Sequence, residues 1–226
     1  MSDVLLVHGT TQSPAGFDTL AAALRERGHH VVRADLPTAE PSWTAERFAE
    51  AVAEQHHHEL DAPVVVAHSA SGLLLPSISA ALGARHQVWL AAMVADYVGR
   101  QSLLEELRSD HSAVFNSEWI GADPTSDPVL ATYFLFHDCD LAGLRAALAT
   151  VRGCDLRGAY TEVAPHDPRA VPSTYLLPTA DRTLRPEYMR HMARRRLGVE
   201  PVELPGGHNL YCANPYTVAQ AIDAAT

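Results

Sequence analysis

Apolar residues along the chain follow two spacings: short continuous runs, and longer stretches in which they recur every three or four positions. Runs of aliphatic and β-branched residues that end at turn formers predict strands, and the longer period predicts amphipathic helices. Helical spacing covers 17–27, which ends at Gly28, and 44–60, for which Thr44 is a suitable N-cap. The predicted strands cover residues 4–7, 29–34, 64–67, 86–92, 173–177 and 199–204.

This alternation is interrupted between residues 99 and 172. The segment shows no clear strand pattern and carries short helical stretches separated by Pro- and Asp-rich breaks. Strand–helix alternation with one inserted helical block is typical of an α/β domain whose parallel sheet carries a cap. We therefore predict a single domain over 1–226, with a mostly parallel sheet of about six strands flanked by helices. Its core would comprise 1–98 and 170–226, and its cap 99–169.

Composition narrows the range of functions. A net charge of −10 makes a nucleic-acid backbone an unfavourable partner. All 17 basic residues are arginine, a bias that suggests a GC-rich bacterial genome. The three cysteines show no disulfide or zinc spacing, and no apolar run reaches membrane-spanning length. We expect a cytoplasmic protein that needs no membrane anchor, metal or cofactor.

The segment after the third predicted strand has the order of a nucleophile elbow. Residues 64–67, Val-Val-Val-Ala, lead into His68-Ser69-Ala70-Ser71-Gly72, and a helix-forming leucine run follows. Such a turn holds the serine hydroxyl above the carboxyl edge of the sheet, with small residues on both sides. The usual Gly-x-Ser-x-Gly pattern is degenerate here, because Ala67 and Ser71 stand at its glycine positions. Alone it is a moderate signal, since a buried strand can be followed by an incidental serine.

Other strand ends carry the remaining parts of an acyl-transfer site. The first strand leads into His8-Gly9-Thr10, where the backbone N–H of Thr10 would form an oxyanion hole with that of Ala70. The fifth strand leads to Asp181, and the last leads through a Gly-rich loop to His208. The chain order Ser69, Asp181, His208 is that of the hydrolase version of the Ser-His-Asp triad.

These segments resemble the α/β-hydrolase superfamily, and more narrowly the small capped branch of plant methylesterases, hydroxynitrile lyases and their bacterial relatives. The resemblance rests on residues 7–10, 67–72, 91–96, 179–181 and 207–209, and in the cap on the stretch Phe136-His137-Asp138-Cys139-Asp140. It implies that Ser69 is the nucleophile, His208 the base and Asp181 the acid that orients the base. Asp96 is the alternative acid, because some hydrolases place theirs after the earlier strand.

Two positions separate the esterases of this branch from its lyases. Lyases that eliminate cyanide tend to have threonine where Gly9 stands and lysine where Asn209 stands, and this chain has neither. The resemblance therefore implies a serine hydrolase that cleaves a small or aromatic carboxylic (methyl) ester through an acyl-enzyme. Two alternatives stay open: an acyltransferase or thioesterase that takes its acyl group from a carrier protein, and a non-catalytic ligand-binding protein.

Substrate contacts are predicted in the cap, where the pattern is weakest. The aromatic side chains could line an acyl pocket together with Gly9, or could equally pack the cap onto the core; they are Trp119, Tyr133, Phe134 and Phe136. The His56-His57-His58 run has metal-binding residue types, but consecutive helical residues point about 100° apart and cannot share one face. For the stretch 137–140 a structural role or substrate contact is favoured over metal binding.

Overall fold

Each predicted apolar run forms a strand, and the strands make one sheet in the computed structural model, which describes residues 1–225. The strands are β1 (Asp3–Val7), β2 (His30–Ala34), β3 (Val64–His68), β4 (His86–Leu90), β5 (Ser173–Pro178) and β6 (Val202–Leu204). Their order is β2-β1-β3-β4-β5-β6, and every neighbouring pair is parallel. The predicted α/β class with a parallel sheet of about six strands is confirmed.

Helices cover both faces of this sheet. They are α1 (Asp18–Glu26), α2 (Ala45–His56), α3 (Leu75–Leu82), α4 (Leu103–Val114), α5 (Pro128–Leu135), α6 (Leu141–Leu148), α7 (Arg157–Thr161), α8 (Pro186–Met192), α9 (Leu210–Ala213) and α10 (Pro215–Asp223). Within residues 1–225, none of the helices has the length and apolar character needed to cross a lipid bilayer.

Alternate residues of each strand enter two separate cores, as the period of two requires. Leu5 and Val65 pack on one face with side chains from α2, α3 and α8. Val4 and Val64 pack on the other face with side chains from α1 and α10. The central strands are therefore buried on both faces. Polar side chains that act on a substrate must come from the loops that follow these strands.

The two largest differences from the predicted element boundaries are at the end of α2 and the start of β6. Helix α2 ends at His56 and not near residue 60. Residues 57–59 form a turn, in which Glu59 N–H donates to the His56 carbonyl at 3.1 Å. Strand β6 begins only at Val202, since Pro201 lacks the N–H that a strand ladder needs.

The segment between β4 and β5 carries α4 to α7. Helix α4 begins with a capping box in which Ser102 and Glu105 each accept the other's backbone N–H. Helices α5 and α6 enclose a third apolar cluster, separate from the two cores, that includes Phe134, Leu135 and Phe136. We name residues 99–169 the cap; that they cover the site, and the boundaries themselves, stay a prediction.

Candidate active site

The turn after β3 forces Ser69 into a left-handed conformation with a φ of 58°. The chain changes there from strand to a 3₁₀ helix, Ser69–Leu74, which continues as α3. Met93 N–H donates to the Ser69 carbonyl at 2.9 Å and anchors the turn to the loop after β4. A positive φ costs a non-glycine residue about 1–3 kcal/mol and is commonly retained at functional sites.

The degenerate elbow motif has a steric explanation. A Cβ on Gly72 would lie 2.1 Å from the Met93 carbonyl oxygen, so the close approach that demands glycine falls at residue 72. Position 71 has room for a hydroxymethyl group. The buried Ser71 hydroxyl is 2.7 Å from the carbonyl oxygen of His68, to which it donates, so it is not left unpaired.

Three side chains from different strand ends meet at this turn. The Ser69 hydroxyl lies 2.9 Å from His208 Nε2, and His208 Nδ1 lies 2.7 Å from Asp181 Oδ2. The other oxygen of Asp181 accepts the backbone N–H groups of Thr183 at 2.7 Å and Leu184 at 3.0 Å. His208 and Asp181 are both buried. The carboxylate is thus fixed by two amides while it accepts the Nδ1–H of the imidazole, which leaves Nε2 to accept from the serine.

The alternative acid lies in a different arrangement. Asp96 Oδ1 accepts the backbone N–H of Gly99 at 2.8 Å, within its own turn after β4. Its second oxygen would lie 2.2 Å from a Cβ on Gly99, so this carboxylate is packed against that glycine. The structure therefore brings Asp181 to His208 and uses Asp96 to stabilise a turn.

The loop after β1 approaches the serine closely. A Cβ on Gly9 would lie 3.0 Å from Ser69 Cβ and 3.2 Å from the His68 carbonyl, so a side chain there would crowd the serine. Thr10 follows directly, and its carbonyl accepts the N–H of Cys154 at 2.9 Å. Ala70 stands in the first turn of its 3₁₀ helix, where backbone N–H groups have no acceptor inside the helix.

His68 contacts the candidate base directly, a role that the sequence pattern did not indicate. Its Nε2–H donates to the His208 carbonyl at 3.1 Å, and the two rings lie 4.7 Å apart. Burial, and secondly the repulsion of a charged His208, hold the pKa of His68 well below its usual value. The ring therefore stays neutral and holds the backbone of His208 in place.

A second group of buried polar residues was also missed. Asn209, at the end of the loop after β6, and Tyr211, in α9, both donate to the side-chain oxygen of Gln12, from the loop after β1. Gln12 in turn donates to Thr150 Oγ1 at 2.7 Å. These bonds join the loop of Thr10 to the loop of His208. Isolated polar residues outside any periodic pattern gave no signal from which this network could be found.

A cavity of about 550 Å³ opens beside Thr10. Its walls include Trp119 and Tyr160 as well as Cys154. Burial raises the pKa of the Cys154 thiol to about 11, so this cysteine is protonated at neutral pH and is a poor nucleophile. The cavity thus combines aromatic walls with the Thr10 loop that touches Ser69.

The predicted pocket aromatics have different surroundings. Phe134 and Phe136 are buried in the apolar cluster of the cap. Trp119 packs against that cluster, with its ring 5.2 Å from the Phe134 ring, and also lines the cavity. Tyr133 is on the surface, where the Arg182 guanidinium lies 4.6 Å from its ring centre and its hydroxyl donates to Glu118 at 2.5 Å.

The histidine run has structural contacts. His56 Nδ1 lies 2.5 Å from Glu59 Oε1, and His57 Nδ1–H donates to the Ala53 carbonyl at 2.8 Å. Across the part of the chain that the structure describes, no three His, Cys, Asp or Glu side chains are grouped as a metal site. The contacts of His56 and His57 stay within their own helix and the turn after it, and the polar-patch interpretation of the run stays a prediction.

Comparisons with known proteins address the fold. The sequence model of the alpha/beta hydrolase family matches residues 4–221. The solved structure of polyneuridine aldehyde esterase matches over 100% of both chains with a TM-score of 0.83 at 17% identity. A pyrethroid hydrolase from Sphingobium faniae JZ-2 matches over 99% of this chain and 97% of its own, with a TM-score of 0.77 and 20% identity. A methylesterase from Arabidopsis matches over 100% and 98%, with a TM-score of 0.75 and 15% identity. No curated protein matches the sequence significantly.

Proposed function

Because the chain belongs to the alpha/beta hydrolase family, we propose that it is a serine-dependent carboxylic-ester hydrolase. The observation that carries this proposal is the hydrogen-bonded series Ser69–His208–Asp181, with separations of 2.9 and 2.7 Å. A serine hydroxyl is a weak nucleophile until an adjacent base accepts its proton, and the series supplies that base with a buried carboxylate behind it.

In the first half of the reaction Ser69 Oγ attacks the ester carbonyl carbon while its proton passes to His208 Nε2. Asp181 stabilises the resulting imidazolium through the Nδ1–H bond. The carbonyl oxygen becomes an oxyanion, for which the backbone N–H groups of Thr10 and Ala70 are the proposed donors. Such preorganised donors contribute roughly 3–4 kcal/mol each to transition-state stabilisation.

The first half ends when the proton on His208 goes to the alcohol oxygen and the carbon–oxygen bond to the leaving group breaks, which leaves the acyl group on Ser69. In the second half a water molecule gives a proton to His208 Nε2 and attacks the acyl carbon. The bond from the acyl carbon to Ser69 Oγ then breaks, the proton on His208 returns to Oγ, and the acid is released.

The substrate we propose is a small or aromatic carboxylic ester, with a methyl ester as the simplest form. Support comes from the cavity beside Thr10, whose aromatic walls include Trp119 and Tyr160. Two of the structural neighbours are described as an esterase and a methylesterase, which agrees with this class. A cytoplasmic location and a small-molecule substrate are parts of the same proposal.

Turnover of short p-nitrophenyl esters by Ser69→Ala tests the proposal. We expect its kcat to fall by about 10⁴- to 10⁶-fold, as in other enzymes with this triad. Ser77→Ala is the matched control, because Ser77 is a buried serine of α3 and its hydroxyl has no hydrogen-bond partner among the described residues. Wild-type turnover by a folded Ser69→Ala protein would refute the scheme.

The same assay separates the alternatives. Rapid steady-state hydrolysis supports an esterase. A burst of nitrophenol followed by slow release would instead favour an acyltransferase or thioesterase that waits for another acceptor, including one that loads its acyl group from a carrier protein. Neither acylation nor turnover would favour a ligand-binding protein.

A further inference from the structure

The turn between α5 and α6 touches the loop that carries His208. This turn belongs to the cap stretch Phe136–Asp140, which is conspicuous in the sequence and unused by the proposed reaction. Asp138 Oδ2 accepts the backbone N–H of Gly207 at 2.7 Å, one residue before His208. The contact therefore joins two segments that are about 70 residues apart and meet only through folding.

The two residues before His208, Gly206 and Gly207, have no side chains that could hold this loop in place. Gly206 has a φ of 147°, which L-residues rarely adopt. A Cβ on Gly207 would lie 2.4 Å from His137 Cε1, so the cap turn occupies the space of that side chain. On the core side the loop is held at its carbonyl groups: Ala180 N–H donates to the Gly206 carbonyl at 2.9 Å, Leu210 N–H to the Gly207 carbonyl at 3.1 Å, and His68 Nε2–H to the His208 carbonyl at 3.1 Å. The Gly207 N–H is bonded from the other side, by Asp138.

The Asp138 carboxylate is not needed to close its own turn. The backbone does this, because Cys139 N–H donates to the Phe136 carbonyl at 3.0 Å. The next helix has its own cap, since Asp140 Oδ1 accepts the N–H of Gly143 at 2.7 Å. Two aspartates of one turn thus each accept a backbone N–H, Asp140 within the cap and Asp138 across to the His208 loop.

We propose that Asp138 is a positioning residue for His208, which it holds at Ser69 by anchoring the N–H of Gly207. This inference rests on the proposed hydrolase function. His208 must keep both its 2.9 Å contact with Ser69 and its 2.7 Å contact with Asp181. Without Asp138 the Gly207 N–H loses this acceptor, and the peptide between Gly206 and Gly207 can rotate more easily because neither residue has a side chain. A misplacement of about 1 Å can cost about 100-fold in rate.

Three variants isolate this contact. Asp138→Leu has a side chain of similar size but no acceptor for the Gly207 N–H. Asp138→Asn keeps an amide oxygen that can accept the same N–H and is the conservative rescue. Asp140→Ala is the matched control, because it removes the other aspartate of the turn and a helix cap without touching the His208 loop.

Two readouts report on His208: kcat and KM for a p-nitrophenyl ester, and the rate at which a fluorophosphonate labels Ser69. For Asp138→Leu we expect both kcat and the labelling rate to fall by about 30- to 100-fold. KM should change by less than about threefold, since ground-state binding is kept. Asp138→Asn should stay within about fivefold of wild type, because its oxygen can still accept. Asp140→Ala should lower the unfolding temperature but alter kcat by less than about threefold.

The inference is overturned if Asp138→Leu keeps its labelling rate, or if Asp140→Ala loses as much activity as Asp138→Leu at equal thermal stability. It is also overturned if Asp138→Asn loses as much as Asp138→Leu. Failure of the proposed function looks different: wild-type protein would then fail to be labelled at Ser69.

Amide hydrogen exchange of the wild-type protein keeps the test decisive if Asp138→Leu does not fold. Exchange in a peptide covering 205–209 should be slow, because the Gly207 N–H is engaged by Asp138. Exchange of the Gly207 N–H at the rate of an unprotected amide would overturn the anchor.

Discussion

The carboxyl edge of the sheet and the cap differ in how their residues are held. At the edge, Ser69, Asp181 and His208 each follow a strand whose register is fixed by its neighbours, and hydrogen bonds of 2.9 and 2.7 Å join them. In the cap, short helices pack around an apolar cluster of their own. Directional bonds tolerate little displacement, whereas apolar packing tolerates more. The edge should therefore control the rate of reaction, and the cap should control stability and substrate fit.

The largest effect is expected from the acid at the edge. Asp181→Asn should lower kcat by about 10⁴-fold, because an amide facing Nδ1 favours the wrong tautomer of His208. Asp96→Asn is the control, since Asp96 stabilises its own turn, and this variant should change kcat by less than about threefold. Steady-state kinetics on both variants measure the difference. The reverse ranking of the two variants would mean that the edge is organised around Asp96.

In the cap we expect Phe136 to contribute to stability without contributing to binding, and Trp119, which packs on the same cluster and lines the cavity, to contribute to both. Phe136 is 1% exposed within the cap cluster, so Phe136→Ala should lower the free energy of unfolding by about 3–5 kcal/mol. Trp119 lines the cavity beside Thr10, so Trp119→Ala should raise KM by about tenfold through lost apolar contact. Urea unfolding and steady-state kinetics on both variants measure the two effects.

One result would contradict these different roles of Phe136 and Trp119. If Phe136→Ala raised KM as much as Trp119→Ala while its unfolding free energy stayed unchanged, the Phe136 ring would line the substrate pocket and not the interior of the cap.

Buried neutral histidines beneath the edge give the smallest expected effect, a dependence of stability on pH. Burial lowers the pKa of His8 and holds that of His68 well below its usual value. Near pH 6 the unfolded chain binds more protons at these residues than the folded chain, so the free energy of unfolding should rise with pH up to about 6.5. Below that pH it should fall by up to about 1.4 kcal/mol per pH unit for each histidine.

Urea unfolding at pH 5.5, 6.5 and 7.5 measures this slope. His68→Gln keeps a donor for the His208 carbonyl but cannot be protonated, so it should reduce the slope. A free energy of unfolding that rises as the pH falls from 7.5 to 5.5 would contradict the assignment of neutral rings.

The site residues could be predicted because their positions follow from topology. Parallel strands end at the same edge, so residues placed directly after β3, β5 and β6 must approach one another. The strand pattern alone did not separate Asp96 from Asp181, because both follow strands; the preference for Asp181 came from the resemblance to the hydrolases. The end of a strand fixes where a loop begins but not which side chain of that loop reaches the histidine. The structural observation that distinguishes the two aspartates is the contact between Asp181 and His208.

The substrate side could not be predicted for a different physical reason. An aromatic residue in a short helix has the same pattern whether it faces a cavity or the interior of the cap. Phe134 and Phe136 lie in the cap cluster, whereas Trp119 lines the cavity. Contacts such as His68 with the His208 carbonyl depend on side-chain geometry between distant segments and leave no periodic trace.

The most direct test is a crystal structure of the protein after reaction with a small alkyl fluorophosphonate. The account predicts a phosphorus–oxygen bond to Ser69 Oγ. It also predicts a phosphoryl oxygen within about 2.7–3.1 Å of the backbone nitrogens of both Thr10 and Ala70, with His208 still bonded to Asp181. An adduct on another residue, or a phosphoryl oxygen that points away from both amides, would contradict it.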